Sequence, residues 1–278
     1  MILKMIMRRL MLGVITLFVV SIMVFAGTEI LPGDVAEMIL GQDAAPDTVA
    51  ALRKELRLDR PAPVRYFEWL VGMATGTLGE SLATGREISD IIALRLPYTL
   101  LLGGVVAAIA VPLSLALGLF AAMYPGSIYD RSITTGTLCL ISGPEFLLAI
   151  LLIMLFAVTL RWLPAVAFLS DGATISQLAR ALSLPVMTLT AAILAPLTRM
   201  TRSAVINVLT SPAVEMAILK GVPRARIIVR HALPNALAPI FNVIAINLAY
   251  LVSGVVVVEV IFAYPGMAKL MVDGVSYR

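Results

Sequence analysis

The chain has one cysteine, Cys139, and one histidine, His231. A disulfide framework is therefore excluded, and no cluster of histidines and cysteines exists to hold a metal. No G-x-x-x-x-G-K-[ST] run occurs, so the chain has no P-loop cradle for nucleotide phosphates, and no H-E-x-x-H is present. Charge is scarce as well: 14% of the residues are charged against 60% hydrophobic, with a mean hydropathy of +0.99. A soluble domain of 278 residues could not hide that much apolar surface, and the composition is that of a polytopic membrane protein. The fourteen methionines are scattered through the apolar runs and read as adaptable packing material.

The few charges are unevenly placed. With a cytoplasmic N-terminus, the inside segments are residues 1–9, about 124–133 and 199–234. They hold Lys4, Arg8, Arg9, Arg131, Arg199, Arg202, Lys220, Arg224, Arg226 and Arg230 against Asp130 and Glu215. The remaining segments carry a slight excess of acid. This asymmetry fits the positive-inside rule for short loops. The formal net charge of +4 thus reads as topological, and a nucleic-acid partner is not expected.

Five spans are expected. The first is Leu10–Leu31, retained rather than cleaved, since Glu29 to Asp34 is no small-residue cleavage site. Residues 32–97 form the one long soluble segment, with a helix capped by Asp47 or Thr48. A second amphipathic helix there carries Tyr66, Phe67 and Trp69 as interfacial anchors. Further spans are expected at about 100–123, 134–160, 184–206 and 236–258, and together residues 98–278 form the core domain. Small residues such as Gly103, Gly104 and Gly118 in the second span permit close helix approach. Ser176–Leu184 is expected as a separate short helix lying along the membrane. Arg199 and Arg202 are expected to reach headgroups and the helix C-terminal dipole, and Asn242 and Asn247 to bond across to neighbouring helices. Glu145, inside the third span beside Gly143-Pro144, is costly at that depth, by about 2.5–3.5 kcal/mol on insertion scales. Two readings stand for it: a pathway-lining residue, or a carboxylate that satisfies backbone groups freed at the proline.

The polar passage 199–234 is the organising stretch. Ser211-Pro212 can cap and open a short helix over Ala213–Leu219, Gly221 can stop it, and a second helical stretch can run from Arg224 to Leu233. The spacing Glu215, Ala217, three residues, Gly221, nine residues, then His231-Ala232-Leu233-Pro234 resembles the EAA loop of permease subunits in binding-protein-dependent ABC importers. Met216 stands for its second residue and His231 for its isoleucine. Other passages are similar to the dipeptide/oligopeptide/nickel branch, in order: Pro32-Gly33-Asp34, Leu58-Asp59-x-Pro61, Arg65-Tyr66-x-x-Trp69, Leu78-Gly79-x-Ser81, Arg95-Leu96-Pro97-x-Thr99-Leu100, Trp162-Leu163-Pro164-Ala165 and Glu259 to Gly266. That branch usually has glycine where Arg57 stands.

The resemblance implies an all-α, polytopic fold of the type I ABC importer transmembrane subunit. About five spans are expected in residues 1–278, without the further span with which relatives normally end. It implies a multi-pass protein of a prokaryotic cytoplasmic (inner) membrane that forms half of a translocation pathway and is not itself an enzyme. Its partners would be a second permease subunit, two ATPase subunits carrying ATP and Mg, a periplasmic or lipid-anchored substrate-binding protein, and membrane lipid. Glu215, Ala217, Lys220, Gly221, Arg224, Leu233 and Pro234 would couple to the ATPase, with His231 touching the same partner. Glu145, Glu259, Phe262, Tyr264, Pro265 and Gly266 are the pathway or gate candidates. Di- or oligopeptides are the expected cargo, with nickel, opines or sugars as alternatives in the same family. An ion-coupled secondary transporter would have only Glu145 for its ion site, and a scaffold protein would have no use for the loop spacing.

Overall fold

A computed structural model describes residues 2–30, 35–41, 44–82, 84–168, 172–227, 230, 232–253 and 255–276. The Pro32-Gly33-Asp34 motif, Asp171 and His231 lie outside the described residues, and so does the side chain of Arg224. The helices before the first long gap in apolar character are α1 (Ile2–Ile30), α2 (Val35–Leu40), α3 (Pro46–Glu55) and α4 (Ala62–Thr75). Then follow α5 (Ile88–Met123), α6 (Ile128–Ser142), α7 (Glu145–Leu152), a π-helical stretch (Ile153–Thr159) and α8 (Ile175–Leu209). The chain continues as α9 (Pro212–Leu219), α10 (Arg224–Ile227), α11 (Leu233–Ser253), α12 (Val256–Ile261) and α13 (Met267–Ser276). Among the described residues the only extended pairing is one isolated bridge, Glu80 to Glu87.

Among the described residues four helices are long and apolar enough to cross a membrane: Leu3–Ile30, Ile88–Met123, Ile175–Leu209 and Leu233–Ile261. The pair Ile128–Ser142 and Glu145–Thr159 makes a fifth span only if counted together, because it bends by 99°. The span expected over 134–160 is thus broken at its Gly143-Pro144 kink, far more sharply than a bent single helix. Gly143 and Pro144 are both extended, and two limbs meet there instead of one helix passing through. Two expectations are corrected. Ile88–Met123 runs unbroken past Pro97, where the segment boundary was placed, and Ser176–Leu184 is the first part of α8, not a separate surface helix. A proline removes one ladder bond from a long apolar helix without ending it. Thr174 starts α8 with a reciprocal cap, accepting from Gln177 N while Gln177 Oε1 accepts from Thr174 N.

The structure divides into two compact units, one of residues before Leu94 and after Asp273, the other Leu94–Asp273. In the first, Tyr66 of α4 is buried against α1, its ring edge-on to Phe25 at 5.3 Å and its hydroxyl 2.8 Å from Ser21 Oγ. Tyr66 is therefore a packing residue and not the interfacial anchor expected, whereas Phe67 and Trp69 do stay exposed. Ala45 occupies the cap position of α3, two residues before the predicted Asp47, because Pro46 suits the first helical turn.

In the second unit α5 and α8 run parallel, with α11 antiparallel to both. At one end Leu102, Val106, Leu184, Leu189, Leu251 and Tyr264 share a core, and at the other Ala122, Val205, Ala236 and Ile240 share a second. Gly118 lets α5 touch α8: a Cβ there would stand 2.7 Å from Thr201 Cβ and 2.8 Å from Thr198 O. Gly103 packs on Leu251, while Gly104 faces open space, so only part of the small-residue stripe is a packing seam.

Candidate functional site

The Glu215–Gly221 passage forms α9, and its spacing has a geometric cause. Gly221 adopts φ +72°, the left-handed conformation that glycine reaches without steric penalty. Gly221 N donates to Ile218 O at 2.9 Å and Val222 N donates to Ala217 O at 3.2 Å. These two bonds make a Schellman terminator, in which the residue after the helix is left-handed and its successor bonds five residues back. Ala217 and Gly221 are therefore four apart because the acceptor carbonyl and the left-handed residue must be. Val222 closes the turn by packing with Val214, Ala217 and Ile227 of α10, against Val208 and Leu209 at the end of α8. One face of α9 is thus fixed to the bundle. Its other face, Glu215, Met216, Ile218 and Leu219, is open, with Ile218 59% and Leu219 76% exposed. Ser211 stands at the cap position as predicted, but its side chain makes no capping bond, and Pro212 alone sets the first turn. Lys220 is exposed at the helix end, and Leu233 and Pro234 open α11. The helix expected from Arg224 to Leu233 is described only over Arg224–Ile227.

At the α9 end of the bundle lies a contact that the sequence did not reveal. Arg202 of α8 holds Asp130 of α6 with both prongs of its guanidinium, Nε to Oδ1 at 2.6 Å and an Nη to Oδ2 at 2.8 Å. Asp130 is buried, also accepts from Gly126 N at 2.8 Å, and its own N donates to the Ser127 cap. Arg202 is thereby corrected: it grips a neighbouring helix and does not extend to headgroups, while Arg199 stays exposed. Asn247 is corrected too, since it donates to Val243 O in its own helix.

At the opposite end the six gate candidates split. Glu259, Phe262, Tyr264 and Gly266 are buried together, and Pro265 half-buried beside them. Thr99 of α5 donates to Glu259 Oε1 at 2.9 Å and accepts from Met267 N at 2.8 Å, and Glu259 Oε2 accepts from Lys269 N at 2.9 Å. The first amides of α13 are thus capped by side chains from two other helices, which favour negative charge at that helix end. Tyr264 donates to Tyr98 O at 2.7 Å and Phe262 O accepts from Ala167 N at 2.8 Å. A Cβ on Gly266 would overlap the Glu259 carboxylate. This end of α12 is again a Schellman turn, with Ala263 left-handed at φ +50° and Tyr264 N donating to Glu259 O. Thr99 and Glu259 both sit in motifs visible in the sequence, but no pattern within either joins them.

Glu145 lies apart from that knot. It opens α7 at the bend, is half-exposed, and accepts from Tyr250 Oη of α11 at 2.7 Å. No cation pairs with it among the described residues. Thr99, Asp130, Arg202 and Tyr250 are the residues that sequence reasoning did not assign to these sites.

A bent, broken helix between long apolar helices, and a short helix that projects from the bundle on a glycine-terminated turn, are the features of a polytopic membrane subunit. Family models cover nearly the whole chain: the N-terminal membrane component of binding-protein-dependent transport systems matches residues 2–103, and the inner membrane component of the same systems matches residues 114–278. The chain belongs to this binding-protein-dependent transport family and is an inner-membrane permease subunit of such an importer. It is 33% identical to a protein of Sinorhizobium fredii named "probable peptide ABC transporter permease protein", over 98% of this chain and 87% of that one. It is 35% identical to the glutathione transport system permease protein of Escherichia coli O6:H1, over 96% of this chain and 85% of that one. Its identity to the corresponding Salmonella choleraesuis protein is 34%, over 98% and 87%.

Proposed function

We propose that this chain is a peptide-importer permease whose α9 docks into a separate ATPase subunit and carries its movement into the spans. The observation that supports this reading is the two-faced construction of α9: one face anchored on Val208 and Leu209, the other presenting Met216, Ile218 and Leu219 from an otherwise polar loop. Exposed apolar side chains on a rigid base are what a partner groove needs. Glu215, Lys220, Gly221, Arg224 and the Leu233-Pro234 start of α11 belong to this element by position. The chain itself performs no hydrolysis; ATP and Mg belong to two ATPase subunits. A second permease subunit completes the pathway, and a binding protein delivers cargo to the side opposite α9. With α9 cytoplasmic, the N-terminus is cytoplasmic as well. Glu145 faces the pathway in this reading, since lipid is the one environment it cannot face cheaply. Peptide cargo follows from the relatives named for peptide and glutathione transport.

The test is co-expression with partner ATPase subunits, followed by ATPase pull-down and ATP-driven uptake of a labelled tripeptide. Gly221→Pro and Glu215→Lys are expected to insert normally and to lose ATPase association or uptake. Uptake by the wild type without any bound ATPase would instead favour an ion-coupled transporter, with Glu145 as its first suspect.

A further inference from the structure

We infer that the Asp130–Arg202 pair is a positioning link through which the movement of α9 reaches α6 and the broken third span. This rests on the coupling role proposed for α9 and extends it to residues outside that loop. Four observations carry it. Arg202 lies seven residues before the end of α8 at Leu209, and α9 packs on that same end through Val208 and Leu209. Asp130 lies in the first turn of α6, and its second oxygen also holds Gly126, in the turn that leaves α5. One residue from Arg202, Thr201 meets Gly118 without room for a Cβ, so α8 is seated on α5 at the same level. Finally, the Asp130 side chain is 5% exposed, whereas the acids of the other described ion pairs, Glu68, Glu29 and Asp273, are 47%, 41% and 36% exposed.

A charge pair in this place is not explained by stability. Taking the Asp130 carboxylate and much of Arg202 out of water offsets a large part of their attraction, and apolar residues of similar volume often serve as well. What the two-pronged contact adds is geometry: a planar fork on a carboxylate fixes distance and rotation together, which a lysine or an apolar contact does not. A displacement of α8 along or about its axis is then passed to α6. At the far end of α6 the chain bends at Gly143-Pro144 and places Glu145 against Tyr250. The link thus joins the docking helix to the one half-exposed acid at the bend.

The experiment uses the whole importer in proteoliposomes: this chain, the second permease, the ATPase subunits and the binding protein. Asp130→Asn, Arg202→Lys, the double variant and the exchanged pair Asp130→Arg with Arg202→Asp are compared with wild type. Basal ATPase, binding-protein-stimulated ATPase and tripeptide uptake per ATP are read for each. Arg202→Lys keeps the charge and loses the fork; it is expected to assemble, retain basal ATPase and lose about ten-fold in uptake per ATP. The double variant is expected to lose no more than either single one, and the exchanged pair to recover part of the loss. Wild-type uptake per ATP in Arg202→Lys overturns the inference. Loss of assembly in every variant, with normal uptake per ATP in the fraction that assembles, also overturns it and leaves a purely structural pair. If Gly221→Pro leaves both ATPase association and uptake intact, the coupling role of α9 fails separately, whatever Asp130 and Arg202 do.

Discussion

The helices α9 and α12 of this permease end in the same hydrogen-bonded turn, and the two turns differ in nearly everything else. α9 ends at Gly221, with open space where a Cβ would go and an exposed face beside it. α12 ends at Ala263, a residue that adopts the left-handed conformation only at a penalty, yet its turn is enclosed by Glu259, Phe262, Tyr264 and Gly266, all buried. The first turn rests on local backbone preference and the second on its surroundings. At α9 glycine removes the backbone penalty outright, whereas at α12 the contacts of Thr99, Glu259 and Tyr264 offset the penalty of alanine.

The comparison can be broken most sharply at Gly266. Gly266→Ala is expected to displace the Glu259 carboxylate and release its bonds to Thr99 and Lys269 N, a loss of about 3 kcal/mol. Thermal melting of the detergent-solubilised subunit would read it, and a melting temperature equal to wild type would mean that the knot is not tight. Thr99→Val keeps the shape and removes the hydroxyl, leaving Glu259 Oε1 and Met267 N each short of a partner. A loss of about 2 kcal/mol is expected in the same melt, without effect on ATPase pull-down. The smallest effects sharpen the contrast. Gly221→Ala meets no atom but must hold a left-handed alanine, so it should weaken α9 by about 1 kcal/mol, while Ala263→Gly should stabilise by up to about 1 kcal/mol. Equal and opposite shifts would show that the two turns share one backbone energy; a null result at Ala263 would show that packing alone sets that turn.

A third turn extends the point to the sequence. Arg57 is left-handed at φ +56°, and Leu58 N donates to Arg53 O, so α3 ends in the same way. Glycine is usual there in the resembling branch, and the backbone gives the reason. The departure visible at Arg57 is therefore a strained, left-handed residue at a Schellman turn.

Much of the candidate site was legible because its signals are local. Gly221 as helix stop, Pro212 as first helical residue and the Ala217-to-Gly221 interval all follow from backbone geometry within one turn. The sequence was less informative wherever a side chain had to choose between partners. Arg202 lies among several basic residues near one span end, and nothing adjacent singles it out for Asp130. Asn247, equally polar, turned back to its own helix. Gly143-Pro144 announced a kink, but a dipeptide does not say whether a helix bends slightly or by 99°.

Composition and periodicity thus determined an all-helical chain in a membrane, its apolar segments and the form of the projecting loop, because hydrophobic length, charge placement and turn chemistry act over a few residues. The tertiary structure alone decided which buried charges meet. Asp130 with Arg202, and Glu259 with Thr99 and the start of α13, are pairs brought together across 72 and 160 residues of chain. Helix packing selects such partners, since a polar group withdrawn from water takes whichever complementary group the fold sets within reach.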